Sequence, residues 1–221
     1  MRRVLRENGL SIVLLGSFLA LSIAQSIAGH REYNEDQREH GSRPIGYSEY
    51  LTTGHYLESV FENWESEFFQ MGFYVILTVF LRQKGSSESK KLTGREKVDE
   101  DPRKSRNDPK APGPVRRGGW VLKLYEHSLS LAFLLLFLLS FFLHGLYGLR
   151  AYNEELTDHG RPEATLGEYM GGSQFWFESF QNWQSEFLAV ASIVLLSIFL
   201  RERGSPESKP VAAPHSETGS G

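Results

Sequence analysis

Four polar positions lie inside, or at the edge of, otherwise apolar stretches of the 221-residue chain: Gln25, Glu67, His144 and Glu186. Two carboxylates and an imidazole can relay protons or hold a cation, and an amide can hydrogen-bond to any of them. Asn63/Glu67 and Asn182/Glu186 are spaced i, i+4, so each pair shares one face of a helix. Gln70 and Tyr74 extend that polar stripe. The expectation is a polar layer in the outer half of a membrane, with Gln25 bonded to Glu67 and His144 bonded to Glu186. The competing reading is that both glutamates reach a wet interface, where they favour the helix dipole and specify helix packing.

Other chemistry is poorly supplied. Cysteine is absent, which removes disulfides, thiol catalysis and cysteine metal sites. His40, His159, Glu35 and Glu154 are of metal-ligand type, with His30 and His55 nearby, but no His-x-x-x-His or His-Glu-x-x-His spacing occurs. A histidine in a last helical turn also has a simpler role, favourable to the helix C-terminus. No nucleophile–base set is visible, so neither an enzyme nor a bound cofactor or metal is expected. The net charge of −3 gives no reason to expect a nucleic-acid partner.

The elements that must position these residues are four apolar blocks. Residues 10–29 carry no charge, and residues 129–149 carry His144 and Tyr147 as their only ionisable side chains. Each suffices for one membrane span of about 20 residues. Residues 68–81 and 187–200 are shorter, about 14 uncharged positions each, or roughly 21 Å against a hydrocarbon core of roughly 30 Å. Each must borrow a turn or two from the polar segment before it. Trp64 and Trp183 then become interface anchors in an aromatic belt. Counting helical rise from inner boundaries at Leu10, Leu81, Leu129 and Leu200 puts the four layer residues at one depth, roughly 21–22 Å up.

The chain repeats itself at an offset of 119 residues, aligning 7–90 with 126–209 without a gap, with roughly 30 of about 84 pairs identical. Tyr33-Asn34-Glu35 returns as Tyr152-Asn153-Glu154, and Asn63-Trp64-x-Ser66-Glu67-Phe68 as Asn182-Trp183-x-Ser185-Glu186-Phe187. Gly85-Ser86-x-Glu88-Ser89-Lys90 returns as Gly204-Ser205-x-Glu207-Ser208-Lys209. Two spans per copy force the same orientation on both. The predicted fold is therefore all-α: an integral membrane protein of four transmembrane helices, in two tandem helical hairpins of parallel orientation.

The first hairpin occupies 1–82 with an external loop at 30–66, and the second 120–203 with a loop at 150–185. Lys and Arg concentrate at the N-terminus, in 83–119 and after Leu200, while both loops are acidic, which puts the termini and linker in the cytoplasm. Residues 83–119 and the tail 204–221 have almost no large apolar side chain and are expected to be disordered, as solvated tethers. Contact of the basic linker with anionic headgroups is the alternative. A basic start, an apolar run and Ser26-Ile27-Ala28 also imitate a cleaved signal peptide, but the run is long for one and its counterpart in the second copy is internal.

Within the loops, Arg31/Glu35 and Arg150/Glu154 suit i, i+4 pairs on helices that continue into water. Gly41 and Gly160 suit the position just past the helix end, and Thr165-x-x-Glu168 has capping-box spacing.

At Tyr33-Asn34-Glu35, at Phe61-Glu62-Asn63-Trp64-Glu65-Ser66-Glu67-Phe68 and at Phe80-Leu81-Arg82 the chain resembles an uncharacterised bacterial multi-pass membrane family, a domain of unknown function, here as a tandem repeat. The resemblance implies membrane location and no established activity. It departs in the second copy, where Gln181 and Gln184 replace Glu62 and Glu65.

The functional expectation is a structural or interaction component of the bacterial cell envelope. It would be seated in the cytoplasmic membrane, with the lipid bilayer and either itself or another envelope protein as partners. A small transporter, channel subunit or proton-coupled sensor is the alternative, and a membrane enzyme a third.

Overall fold

The computed structural model describes residues 2–219. Among them are eight α-helices and no strand: α1 (Arg2–Glu39), α2 (Tyr47–Tyr50), α3 (Gly54–Phe80), α4 (Gly113–Arg117), α5 (Gly119–Glu126), α6 (Ser128–Asp158), α7 (Leu166–Gly171) and α8 (Ser173–Phe199). Three of them, α1, α6 and α8, are long and apolar enough to cross a membrane. This departs from the expected four. At 27 residues α3 has the length, but Glu58, Glu62, Glu65, Glu67 and Gln70 break up its apolar run.

Helix ends follow local chemistry. α1 is kinked at Asn8 (φ −129°, ψ 16°). The same break recurs at the repeat-equivalent His127 (φ −112°, ψ 9°), where it separates α5 from α6. At 38 residues α1 is about 57 Å long, so it extends well beyond a 30 Å hydrocarbon core. Its end is a Schellman turn: Gly41 N donates to Arg38 O at 3.1 Å and Ser42 N to Gln37 O at 2.7 Å, with Gly41 at φ 73°. α6 ends the same way through Gly160 N to Thr157 O and Arg161 N to Leu156 O, at 2.9 and 2.8 Å. The capping box before α7 is formed: Thr165 N donates to Glu168 Oε2 at 2.7 Å and Glu168 N to Thr165 Oγ1 at 3.3 Å.

The chain divides into two compact units, Met1–Val60 with Leu143–Gly171, and Phe61–Phe142 with Gly172–Gly221. Each contains residues of both sequence copies.

In the first unit the two copies fold alike. Asn34 clamps the backbone of its loop, accepting from Ile45 N at 2.8 Å and donating to Ile45 O at 3.0 Å. Asn153 does the same to Ala164, at 2.8 and 3.1 Å. Tyr50 and Tyr169 are buried, and each hydroxyl lies where a Cβ on Gly29 or Gly148 would stand, so the missing side chain admits the ring. At Gly54 a Cβ would fall 2.5 Å from Ala151 N and 3.0 Å from Tyr147 O, so the start of α3 meets α6 backbone to backbone. Arg150 Nη1 reinforces that junction by donating to Thr52 O at 3.0 Å.

In the second unit, rings from α3, α6 and α8 make the core. Phe69 lies 4.5 Å from Trp183, 5.2 Å from Phe137 and 5.7 Å from Phe187, ring centre to ring centre. The repeated Gly-Ser-x-Glu-Ser-Lys block closes each second helix in one way: Ser89 Oγ accepts from Gln83 N, and Ser208 Oγ from Glu202 N, both at 2.9 Å. Lys90 then pairs with Asp99 at 2.6 Å, whereas Lys209 is buried and donates to the carbonyls of Pro214, His215 and Glu217. Gly85 N donates to Thr218 Oγ1 at 2.9 Å and Gly219 N to Ser86 O at 2.9 Å, so the tail docks on the start of the linker. Side chain–backbone bonds thus hold short turns in the linker and the tail.

Candidate polar site

Every predicted layer residue is in a helix, but they fall in different units: Gln25 and His144 in the first, Glu67 and Glu186 in the second. Gln25, on α1, donates to Ser59 Oγ at 3.3 Å, in place of the expected Glu67. Ser59 precedes Glu67 by eight residues on α3, about 12 Å along the axis. The register is set nearby, where Ser26 Oγ and Tyr47 Oη are 2.6 Å apart and Gly29 receives Tyr50.

His144, on α6, is fully buried. One of its ring nitrogens and a carboxylate oxygen of Glu58 lie within 4.8 Å of each other. Glu58 Oε1 also accepts from the Tyr169 hydroxyl at 2.9 Å. Gly148, one turn beyond His144, leaves room for both partners, since a Cβ there would collide with Tyr169 Oη and Glu58 Oε1. An imidazole, a carboxylate and a phenol so placed can exchange a proton, and the first two are ligand types that suit a divalent cation. Sequence reasoning passed over Glu58. The signal available was that the equivalent position in the second copy is Phe177, so only one copy carries the acid.

In the second unit α3 and α8 exchange polar contacts along one seam. Glu62 accepts from the Asn182 side chain. Glu65 is fully buried and accepts from Trp183 Nε1 at 3.0 Å. Gln70 Nε2 donates to the backbone oxygen of Glu186 at 2.5 Å. Asn182 and Trp183 are therefore partners in this seam. Asn63, Trp64 and Glu67 are exposed, and Glu186 is half-buried. The acceptors Glu62 and Glu65 belong to the first copy only, and their counterparts are Gln181 and Gln184. The carboxylate contacts of this seam run one way, from donors of the second copy to acids of the first, while Gln70 donates in the other direction to a backbone oxygen.

The loop histidines considered as metal ligands have packing roles. His30 bonds Asn34 and Ile45 O, and His55 lies 3.5 Å from Glu32. His40 Nδ1 donates to Asp36 O at 3.0 Å, and this bond, with the Asp36 carboxylate, raises its pKa. His159 bonds Glu155 O in the same way at 2.8 Å. Beside them an open cleft of about 640 Å³ runs between the C-terminal ends of α1 and α6, lined by Tyr33, Gln37, Arg150, Glu154 and Asp158 among others. Arg150 and Glu154 are paired there at 3.7 Å.

A family model described as a domain of unknown function (DUF6766) matches residues 1–220, running through both copies. No curated protein and no solved structure matches the chain.

Proposed function

The chain belongs to this DUF6766 family of unknown function, and from that premise we propose that it is a multi-pass protein of the bacterial cytoplasmic membrane. In this reading α3 is the fourth span, both termini and the linker are cytoplasmic, and both loops are external. Its role is that of a structural or interaction component of the envelope. The observation that carries this reading is the use to which the polar residues of α3 are put. Glu62 and Glu65 are engaged by Asn182 and Trp183, so they join the two copies rather than line an open path. In a membrane, such contacts specify which helices associate. Below them, residues 75–81 and 190–200 are almost wholly apolar, which opposes a continuous polar route.

Drawing α3 into the bilayer requires its carboxylates to be satisfied by protein partners, since ionisable groups there are costly unless paired. Reconstitution into liposomes tests the role. A structural component leaves proton and cation flux at the level of protein-free vesicles, and flux above that level would contradict it.

One observation favours the second reading, a proton-coupled sensor or transporter. The His144–Glu58–Tyr169 cluster is a set of protonatable groups within one unit, with His144 and Tyr169 buried and Glu58 half-buried. That reading predicts pH-dependent flux or signalling that Glu58→Gln abolishes while the protein stays folded.

A further inference from the structure

Residues 102–126 form a small substructure of their own within the second unit. The 3₁₀ turn Pro102–Ser105 and α5 both pack on α4, over Val115 and Leu122, which are 7% and 3% exposed. A cavity of about 410 Å³ opens among these elements. Arg103, Arg106 and Lys123 line it, with the bare backbone of Gly118 and Gly119, and no carboxylate is among its lining residues. Two neighbouring acids accept from backbone amides. Asp101 Oδ1 accepts from Arg103 N at 3.0 Å and Asp108 Oδ1 from Lys110 N at 2.8 Å. Among the described residues, none of the three cations is held in an ion pair.

The cavity is also shaped. Arg106 Nε donates to Arg116 O at 3.4 Å, which keeps the guanidinium beside Gly118. A Cβ on Gly118 would lie 3.7 Å from Arg106 Cζ. Gly118 and Gly119 both have positive φ, 68° and 62°, so the chain doubles back where α5 begins. No side chain caps that helix start. Away from the buried Leu122, α5 exposes Trp120, Leu124 and Tyr125, at 75%, 54% and 44%. A short helix with cations beside its buried side and aromatic residues on its exposed side suits a membrane–water interface.

We propose that this cavity is a binding site for an anionic phosphate group, supplied by the headgroup of an anionic phospholipid or by a free phosphate compound. Two guanidinium forks match phosphate oxygens in geometry, and the Lys123 ammonium adds a third positive charge. The lipid source rests on the proposed membrane reading, in which α6 begins at the bilayer surface. The phosphate chemistry does not depend on it.

The test uses the full-length chain in zwitterionic detergent, titrated by calorimetry with short-chain phosphatidylglycerol, short-chain phosphatidylcholine and inorganic phosphate. Saturable binding of phosphatidylglycerol without phosphatidylcholine assigns the lipid source. Saturable binding of inorganic phosphate at equal strength assigns a free phosphate compound. In either case Arg103→Gln, Arg106→Gln and Lys123→Gln each weaken binding about fivefold, the equivalent of about 1 kcal/mol per charge near a membrane surface. Lys104→Gln and Arg117→Gln remove exposed charges outside the cavity and change binding less than about twofold. Arg103→Lys and Arg106→Lys, which preserve charge and fold, still weaken binding because the planar fork is lost. Binding of neither anion, or equal loss in the control variants, overturns the proposal. Sidedness is measured separately by labelling, so a failure here is distinct from a failure of the topology.

Discussion

The Glu65–Trp183 contact is open to a double-mutant cycle. Trp183→Phe deletes the indole N–H, yet keeps a ring against Phe69, whose centre lies 4.5 Å away. Glu65→Leu deletes the acceptor and removes a carboxylate that is 0% exposed. A hydrogen bond to a charged group is worth about 1.5–3 kcal/mol in soluble proteins. Between membrane helices the measured average is nearer 0.6 kcal/mol, with a maximum of about 1.7. In the proposed membrane reading this bond, 3.0 Å long and made to a fully buried side chain, belongs at the upper end of that range. The expected coupling is therefore about 1.5 kcal/mol, roughly tenfold in the folding equilibrium. Glu65→Gln keeps an oxygen acceptor, as Gln184 offers in the second copy, but a neutral one, so it retains only part of the coupling, about 0.6 kcal/mol. The assay is reversible unfolding in mixed micelles, followed by far-UV circular dichroism for the four proteins of the cycle and for Glu65→Gln. Additivity to within about 0.3 kcal/mol would refute the claim that this bond ties α3 to α8.

Further perturbations probe the rest of the fold. Gly54→Val places a side chain 2.5 Å from Ala151 N and should cost about 2 kcal/mol or more in the same unfolding assay, whereas Gly46→Ala, with nothing within 4 Å, should be neutral. Asn34→Ala and Asn153→Ala each leave a loop amide and carbonyl without their clamp, and should speed proteolysis within 41–49 and 160–168 respectively. The bonds from Thr165 hold the Glu168 carboxyl below the usual range. Its contribution to α7 is therefore fully present above the ordinary carboxylate pKa of about 4.3 and is lost as pH falls through the lowered value. Hydrogen exchange of the α7 amides should rise over that acidic window in the native protein. In Glu168→Ala the exchange should be fast at all pH.

What could be read from the amino acids divides along physical lines. Features decided locally were legible. Gly41 and Gly160 end their helices because only a residue tolerant of positive φ closes a Schellman turn cheaply, and Thr165 and Glu168 satisfy each other three residues apart. The repeat located the equivalent Asn34 and Asn153, though not that each clamps its own loop. Partners distant in sequence were not legible. Glu58 finds Tyr169 and Glu65 finds Trp183 across 111 and 118 residues, and no periodicity encodes such a pairing. The Ser59 partner of Gln25 was not legible because counting helical rise does not determine the register between two helices; packing at Ser26, Gly29 and Tyr50 does. In the linker, composition predicted disorder because it counts apolar area. It does not count the backbone bonds of Asp101, Asp108 and Ser89 that hold individual turns.

The central proposal is that α3 crosses the bilayer, although among the described residues only α1, α6 and α8 are apolar enough to do so by composition. The absence of native cysteine makes the decisive measurement clean. Single cysteines at Ser48, Lys110 and Glu163 are treated in intact cells with a membrane-impermeant maleimide, then again after permeabilisation. The account predicts labelling of Ser48→Cys and Glu163→Cys from outside, and of Lys110→Cys only once the membrane is opened. Labelling of Ser48→Cys and Lys110→Cys from the same side would put both ends of α3 on one face of the membrane and contradict it.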